Sequence, residues 1–266
     1  MGTYCGAGVA RPFARRGPGA TWAAVRGRLV CLFLTLLPAA AVGAPHPVVW
    51  AWERPEDLRF LPPGAEVAVQ TGFVVLRGDQ VVARGRRFPL RMNGTPSTAL
   101  VHVQIDHRQP LAWTAAQKAT AAGAVLAFGR VAGARRLQLD FEVRASERQV
   151  LLDLLAEVRR GLPPGMTLSM TALASWCETE RWIDAAPVDE IAPMLFRMGP
   201  GGGALKARLE AGGDFADPRC RAALAISADT PLKRAPADRR IYLFSPRSWT
   251  PHDYQVVLQE ISKWPS

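Results

Sequence analysis

LQLDFE, residues 137–142, decides how this chain is read. In an extended strand successive side chains alternate, so Leu137, Leu139 and Phe141 share one face while Gln138, Asp140 and Glu142 share the other. A central strand of an open parallel sheet, covered by helices on both sides, would be apolar on both faces. A barrel strand can instead pack its apolar face on helices and turn a polar face inward, provided the inward groups are hydrogen-bonded or lie at the open end. ALVHVQID (99–106) repeats the pattern, with Val101, Val103 and Ile105 opposed to His102, Gln104 and Asp106. VQID and LQLD also echo each other 34 residues apart, a spacing that suits one β/α unit.

Working outward, the other apolar runs are VVWAW (48–52), EVAVQTGFVVL (66–76), TLSMTALASW (167–176), EIAPMLF (190–196), AALAIS (222–227) and IYLFS (241–245). With the two runs above they make eight candidate strands. An alanine-rich helix is expected over 114–129 and a second after residue 145. In the second, Ser146 can cap, Val150, Leu151, Leu154, Leu155 and Val158 form one face, and Gly161 ends it. A last helix is expected over 252–263. Alternating strands and helices predict an α/β fold with parallel pairing, and eight strands predict a TIM-like (β/α)8 barrel. The period is irregular, because residues 77–91 (RGDQVVARGRRFPLR) read as a β-hairpin insert after strand two. A doubly wound open sheet is the competing architecture.

The N-terminal residues 1–44 are expected to be a cleaved secretory signal peptide with a long n-region, with an uncleaved anchor as the alternative. Five arginines and no acid precede LVCLFLTLL (29–37), small residues follow, and cleavage fits after Ala41 or Ala44. An apolar core this short does not span a bilayer, which takes roughly 20 residues. Residues 45–266 then form one barrel domain, exported to the periplasm or beyond. Loss of the five signal arginines lowers the formal charge from +10 to +5. That charge is mild, no basic face is interleaved with aromatics, and no nucleic-acid partner is expected. Cys177 and Cys220 would remain in an oxidising compartment, where they can form one disulfide or stay as two thiols.

Barrel active sites lie at the C-terminal ends of strands. Asp140 and Glu142 are therefore the candidate catalytic pair, roughly 6–7 Å apart at Cα. Coupling between them would raise one pKa and retain a proton for general-acid work, as glycoside hydrolysis requires. The plainer alternative makes them polar strand ends paired with arginines. Candidate ligand contacts are Asp106, Gln104, Gln138 and Arg197, with Trp50, Trp52, Trp176, Phe196 and Trp249 as platforms for sugar rings or, alternatively, as core packing. Glu53 and Asp229 are the candidates for a further carboxylate. GPGGG (199–203) lacks the Lys-Ser or Lys-Thr of a phosphate cradle and reads as a flexible loop. His102, Asp106 and His107 lack a zinc spacing, and no Gly-x-Ser-x-Gly elbow occurs. No metal or cofactor is expected; the expected ligand is a carbohydrate or another small polar molecule.

Three stretches, VVWAWERPEDLRFL (48–61), LQLDFEVRASER (137–148) and ALASWCETERWIDAAPVDEIAPMLFRMG (172–199), resemble the bacterial family catalogued as domain of unknown function 3142. The resemblance implies an exported, barrel-like protein and no particular reaction. More distantly, the chain is similar to chitinase-like barrels of glycoside hydrolase family eighteen. Asp140 and Glu142 match the last two acids of that family's Asp-x-Asp-x-Glu motif, Met194 matches the methionine of its Met-x-Tyr-Asp motif, and Trp249 matches its late tryptophan. This likeness implies that Glu142 is the acid and that Asp140 orients the substrate's N-acetyl group. The chain departs from the pattern at Gln138, Phe196 and Arg197, which replace an aspartate, a tyrosine and an aspartate. The alternative function is a non-catalytic barrel that binds an envelope glycan or a protein partner.

Overall fold

A computed structural model describes residues 46–178, 181–198, 201–236 and 238–264. The expected signal peptide lies outside them. The strands, in chain order, are β1 (His46–Ala51), β2 (Glu56–Asp57), β3 (Glu66–Arg77), β4 (Gln80–Gly85), β5 (Leu90–Arg91), β6 (Thr98–Ile105), β7 (Arg136–Asp140), β8 (Thr167–Leu173), β9 (Glu190–Met194), β10 (Ala223–Ser227) and β11 (Arg240–Phe244). The helices are α1 (Ala115–Gly129), α2 (Arg148–Gly161), α3 (Gly202–Glu210) and α4 (Pro251–Ser262). Parallel pairing runs β1-β3-β6-β7-β8-β9-β10-β11, and β11 returns to β1, closing an eight-stranded parallel barrel. The fold is a TIM-like barrel, and its eight staves are the eight apolar runs of the sequence.

Closure separates two cores. Leu137 and Leu139 of β7, Phe141 just beyond it, and Val101 and Val103 of β6 pack outward against α1 and α2, whose buried stripe includes Leu151, Leu154, Leu155 and Val158. Val48, Trp50, Ala68, Leu100, Ala192, Ala225 and Tyr242 fill the interior. Thr114 caps α1 by accepting from the Gln117 amide, and Thr250 caps α4 by accepting from the Asp253 amide. At α2 a 3-10 turn, Ala145–Glu147, precedes the helix, and Ser146 makes no cap. The Glu147 carboxylate instead accepts from the Arg144 backbone amide at 2.8 Å.

The insert after strand two departs from the expected form. β3 is twelve residues long and is itself the hairpin's first arm: its N-terminal part pairs with β1, and residues 72–77 pair antiparallel with β4. A register shift between Gln70 and Gly72 marks a bulge. Beyond it Val74 and Leu76 join the outer core, so Phe73 is turned inward. Gly72 sits so close to the Phe128 ring that an added Cβ would lie 2.2 Å from it. The half-buried Arg86 guanidinium bridges the junction, donating to the carbonyls of Ala51 and Arg54. In the glycine-rich stretch, Gly201 adopts φ +78° and α3 begins at Gly202, so a helix stands where a flexible loop is expected. Cys177 and Cys220 form a disulfide that ties the turn after β8 to the segment before β10.

The floor of the barrel is polar. Glu190 Oε1 accepts from the Tyr242 hydroxyl at 2.7 Å and from Ser169 Oγ at 3.0 Å, while Arg240 donates to Oε2 at 3.1 Å. Arg136 lies 3.4 Å from the same carboxylate. Above it Gln138 donates to Ser169 and accepts from the Trp50 indole at 2.8 Å. Truncating one member of a fully buried charge network costs about 3–5 kcal/mol, because its partners stay behind uncompensated, and the partial exposure of Glu190, Arg136 and Arg240 places this network toward the lower end. Glu190→Ala is expected to lose stability on that scale in urea unfolding; a loss below about 1 kcal/mol would show that the floor is held by other contacts.

Candidate functional site

Above the floor the barrel opens into a cavity of about 440 Å³, lined by Trp52, His102, Gln104, Asp140, Glu142, Met194, Phe196, Arg197 and Phe244. Its position follows from strand direction, because each of these residues lies at or just beyond the C-terminal end of a barrel strand. Register sets the polar centre: His102 of β6 is the direct neighbour of Asp140 of β7. His102 Nδ1 lies 2.6 Å from Asp140 Oδ2, and the Thr171 hydroxyl of β8 donates to Asp140 Oδ1 at 2.7 Å. Both oxygens of the buried Asp140 carboxylate are therefore engaged. The His102 ring is stacked on Phe73, centroids 4.9 Å apart, which is the contact the β3 bulge creates.

The cavity's electrostatics are set by that centre. Burial disfavours protonated His102, but the hydrogen bond and charge of Asp140, helped by Glu142 and Gln104, outweigh it and leave the His102 pKa raised. Partial burial raises the Glu142 pKa, Arg197 opposes it, and the Asp140 charge adds to the rise. Arg197 Nε reaches Glu142 Oε1 at 3.2 Å, and both side chains are substantially exposed at the mouth. Glu142 thus keeps its proton to higher pH than an isolated surface glutamate. Phe196 and Phe244 stack at 4.6 Å on one wall, and Trp52 meets Phe244 edge-on at 6.0 Å. The Trp52 indole nitrogen is buried without a hydrogen-bond partner among the described residues.

Of the residues singled out from the sequence, Asp140, Glu142, Gln104, Trp52, Phe196 and Arg197 meet in this cavity. The others stand elsewhere. Asp106 lies four residues beyond the level of Asp140, since His102 and not Asp106 is paired with it. Its carboxylate is held well below the usual range by hydrogen bonds from Arg108 and from Arg77, an ion-paired post on the rim. Gln138 and Trp50 are fully buried beneath the cavity and bonded to each other. Trp249 is buried with its indole donating to the Trp50 carbonyl at 2.9 Å and its backbone amide to Glu56. Trp176 turns away in a 3-10 turn and packs on Trp182 at 4.9 Å. None of these three tryptophans offers a free face to a ligand in the cavity. Glu53 is tied to Arg84 and the Arg87 amide, and exposed Asp229 accepts from Ser227.

His102, Thr171 and Phe244 were not singled out. Their signal was present for His102 alone, as an inward-facing polar residue of its strand; its partnership with Asp140 depends on register between strands. Among the described residues no group of three or more His, Cys, Asp or Glu is arranged to hold a metal ion, and no helix is long and apolar enough to cross a membrane. Comparison with family models, with curated proteins and with solved structures found no match to this chain.

Because the folded pKa of His102 is raised, its protonation favours the folded chain. That stabilisation is complete below the ordinary histidine value, about 6.5, and is lost as pH rises through the higher folded value. The difference in Tm between the wild type and His102→Gln should therefore be largest below that pH and shrink above it. A difference that stays constant across the range would mean that the ring is not charged by Asp140.

Proposed function

We propose that the chain is a glycoside-hydrolase-like barrel acting on an envelope or extracellular glycan, with Glu142 as general acid. One observation carries this reading: a carboxyl group with a raised pKa stands at the mouth of an aromatic-walled cavity at the strand C-termini, directly above a fixed Asp140. Sugar rings present apolar C–H faces that suit Trp52, Phe196 and Phe244, and hydroxyls that suit Gln104 and Arg197. Glu142 would protonate the glycosidic oxygen as the bond to the anomeric carbon breaks. The Asp140 carboxylate, held by His102 and Thr171, would face the positive charge that develops on the ring until a water molecule adds its oxygen to the anomeric carbon, the proton it releases restoring the acid form of Glu142 directly or through solvent. The motifs that resemble the uncharacterised bacterial family, the signal pattern of residues 1–44 and the Cys177–Cys220 pair are in keeping with an exported protein.

A second reading, a barrel that binds a glycan without cleaving it, is favoured by Phe196 in place of a hydroxyl-bearing tyrosine and by the Arg197–Glu142 pair. Turnover of a panel of bacterial exopolysaccharides and amino-sugar oligomers separates the two. On the proposed reading at least one substrate is cleaved, and Glu142→Gln lowers the rate by about 100-fold or more. Glycan binding that survives Glu142→Gln, with no cleavage by either protein, would select the second reading. Activity should also fall as pH rises through the Glu142 pKa. Since Arg197 lowers that pKa, Arg197→Ala should move the alkaline limb of kcat/KM to higher pH; an unmoved limb would assign the limb to another group.

A further inference from the structure

A second cavity, of about 400 Å³, lies on the other side of the β6–β7 wall, at the same end of the barrel. The two cavities share their strands: Gln104 turns into the first and Ile105 lines the second, Glu142 borders the first and Arg144 the second. Trp113 and His107 come from the segment between β6 and α1, and Glu147 from the turn before α2. The polar groups here are organised. Glu147 Oε1 lies 3.3 Å from His107 Nδ1, while its other oxygen accepts from the Arg144 amide.

Trp113 is the feature that ordinary packing leaves unexplained. It has φ +45°, in the left-handed region that a bulky residue rarely enters, and only one other described non-glycine residue has a positive φ. Such a conformation persists where its surroundings enforce it. They do so here: the preceding Ala112 amide donates to the Gly78 carbonyl at 2.9 Å, the following Thr114 caps α1, and the indole N–H donates to Asp153 of α2 at 3.0 Å. Lys118 also sits over the ring, 5.7 Å from its centroid, and pairs with the same Asp153. The half-buried indole is thus held rigidly at the border of an open cavity, with His107, Gln109 and Arg144 around it.

We propose that this second cavity is a glycan subsite, with Trp113 as its stacking platform and His107, Gln109 and Arg144 as partners for hydroxyl or acidic substituents. It rests on the glycan reading of the barrel mouth and extends it: the ligand is an oligosaccharide that crosses the β6–β7 rim, and not a single sugar. A rigid aromatic platform binds at small entropic cost, which favours such a role.

The test uses the 15N-labelled mature chain titrated with β-linked amino-sugar oligomers from monosaccharide to hexamer and with exopolysaccharide fragments, reading the indole N–H signals of Trp52 and Trp113. Trp113→Gly removes the platform while suiting the positive φ, so the segment keeps its course. The expected result is that long oligomers shift both signals, short ones shift Trp52, and Trp113→Gly erases the gain in affinity with length, about tenfold for one aromatic contact. A Trp113 signal that moves alone would overturn the rim-crossing ligand, and with it both the proposal and the barrel mouth as a glycan site. If Trp52 moves and Trp113 is unaffected at every length, the subsite is overturned and the barrel reading stands. If neither moves with any glycan, both are overturned.

Discussion

A closed barrel turns every second side chain of eight strands into a space that bulk water does not reach, so each inward polar group must find its partner inside. Glu190 is where that constraint is met. Its carboxylate gathers Tyr242 and Arg240 of β11, Ser169 of β8 and Arg136 of β7, and Gln138 and Trp50 extend the network upward. Burial and the adjacent carboxylate push the Tyr242 phenol far above its ordinary pKa, so it remains a neutral donor. With the N-terminal half filled in this way, the cavity lies at the C-terminal end.

The same alternation that makes the floor also makes the mouth. Along β7 and the two residues after it, one parity carries Gln138 into the floor, Asp140 into the anchored centre and Glu142 to the rim, at increasing height. Depth sets their chemistry: Gln138 is neutral and satisfied, Asp140 is engaged on both oxygens, and half-buried Glu142 holds its proton to higher pH than a surface glutamate. The bulge in β3 adds the one change of parity the site needs, since Phe73 rather than Val74 then faces His102.

Most of this fold was legible because strand identity is local. Apolar runs of five to eleven residues with turn signals between them marked all eight staves, and the polar parity of LQLDFE favoured a barrel over an open sheet. What sequence could not carry is stagger and depth. The echo of VQID and LQLD carries a repeat length but no stagger: the observed register pairs His102 with Asp140 and lifts Asp106 to the rim. Trp50 and Trp52 share one strand face, yet two residues of depth separate a core indole from a cavity wall. Trp176 and Trp249 follow strands, and the turns beyond those strands, which have no simple period, direct them away from the mouth. In α3 the glycines that suggest a loop supply a positive φ at Gly201 and leave Gly202 room beside Met198.

The central claim is that partial burial and the Asp140 charge outweigh the Arg197 ion pair and hold the Glu142 pKa above its ordinary value, as the proposed acid requires. Its most direct measurement is a carboxyl-carbon NMR titration of Glu142, with Glu142→Gln used to assign the signal. A pKa above the ordinary glutamate value of about 4.3 is what the geometry requires. A value at or below it would mean that Arg197 dominates, and would contradict Glu142 as the acid.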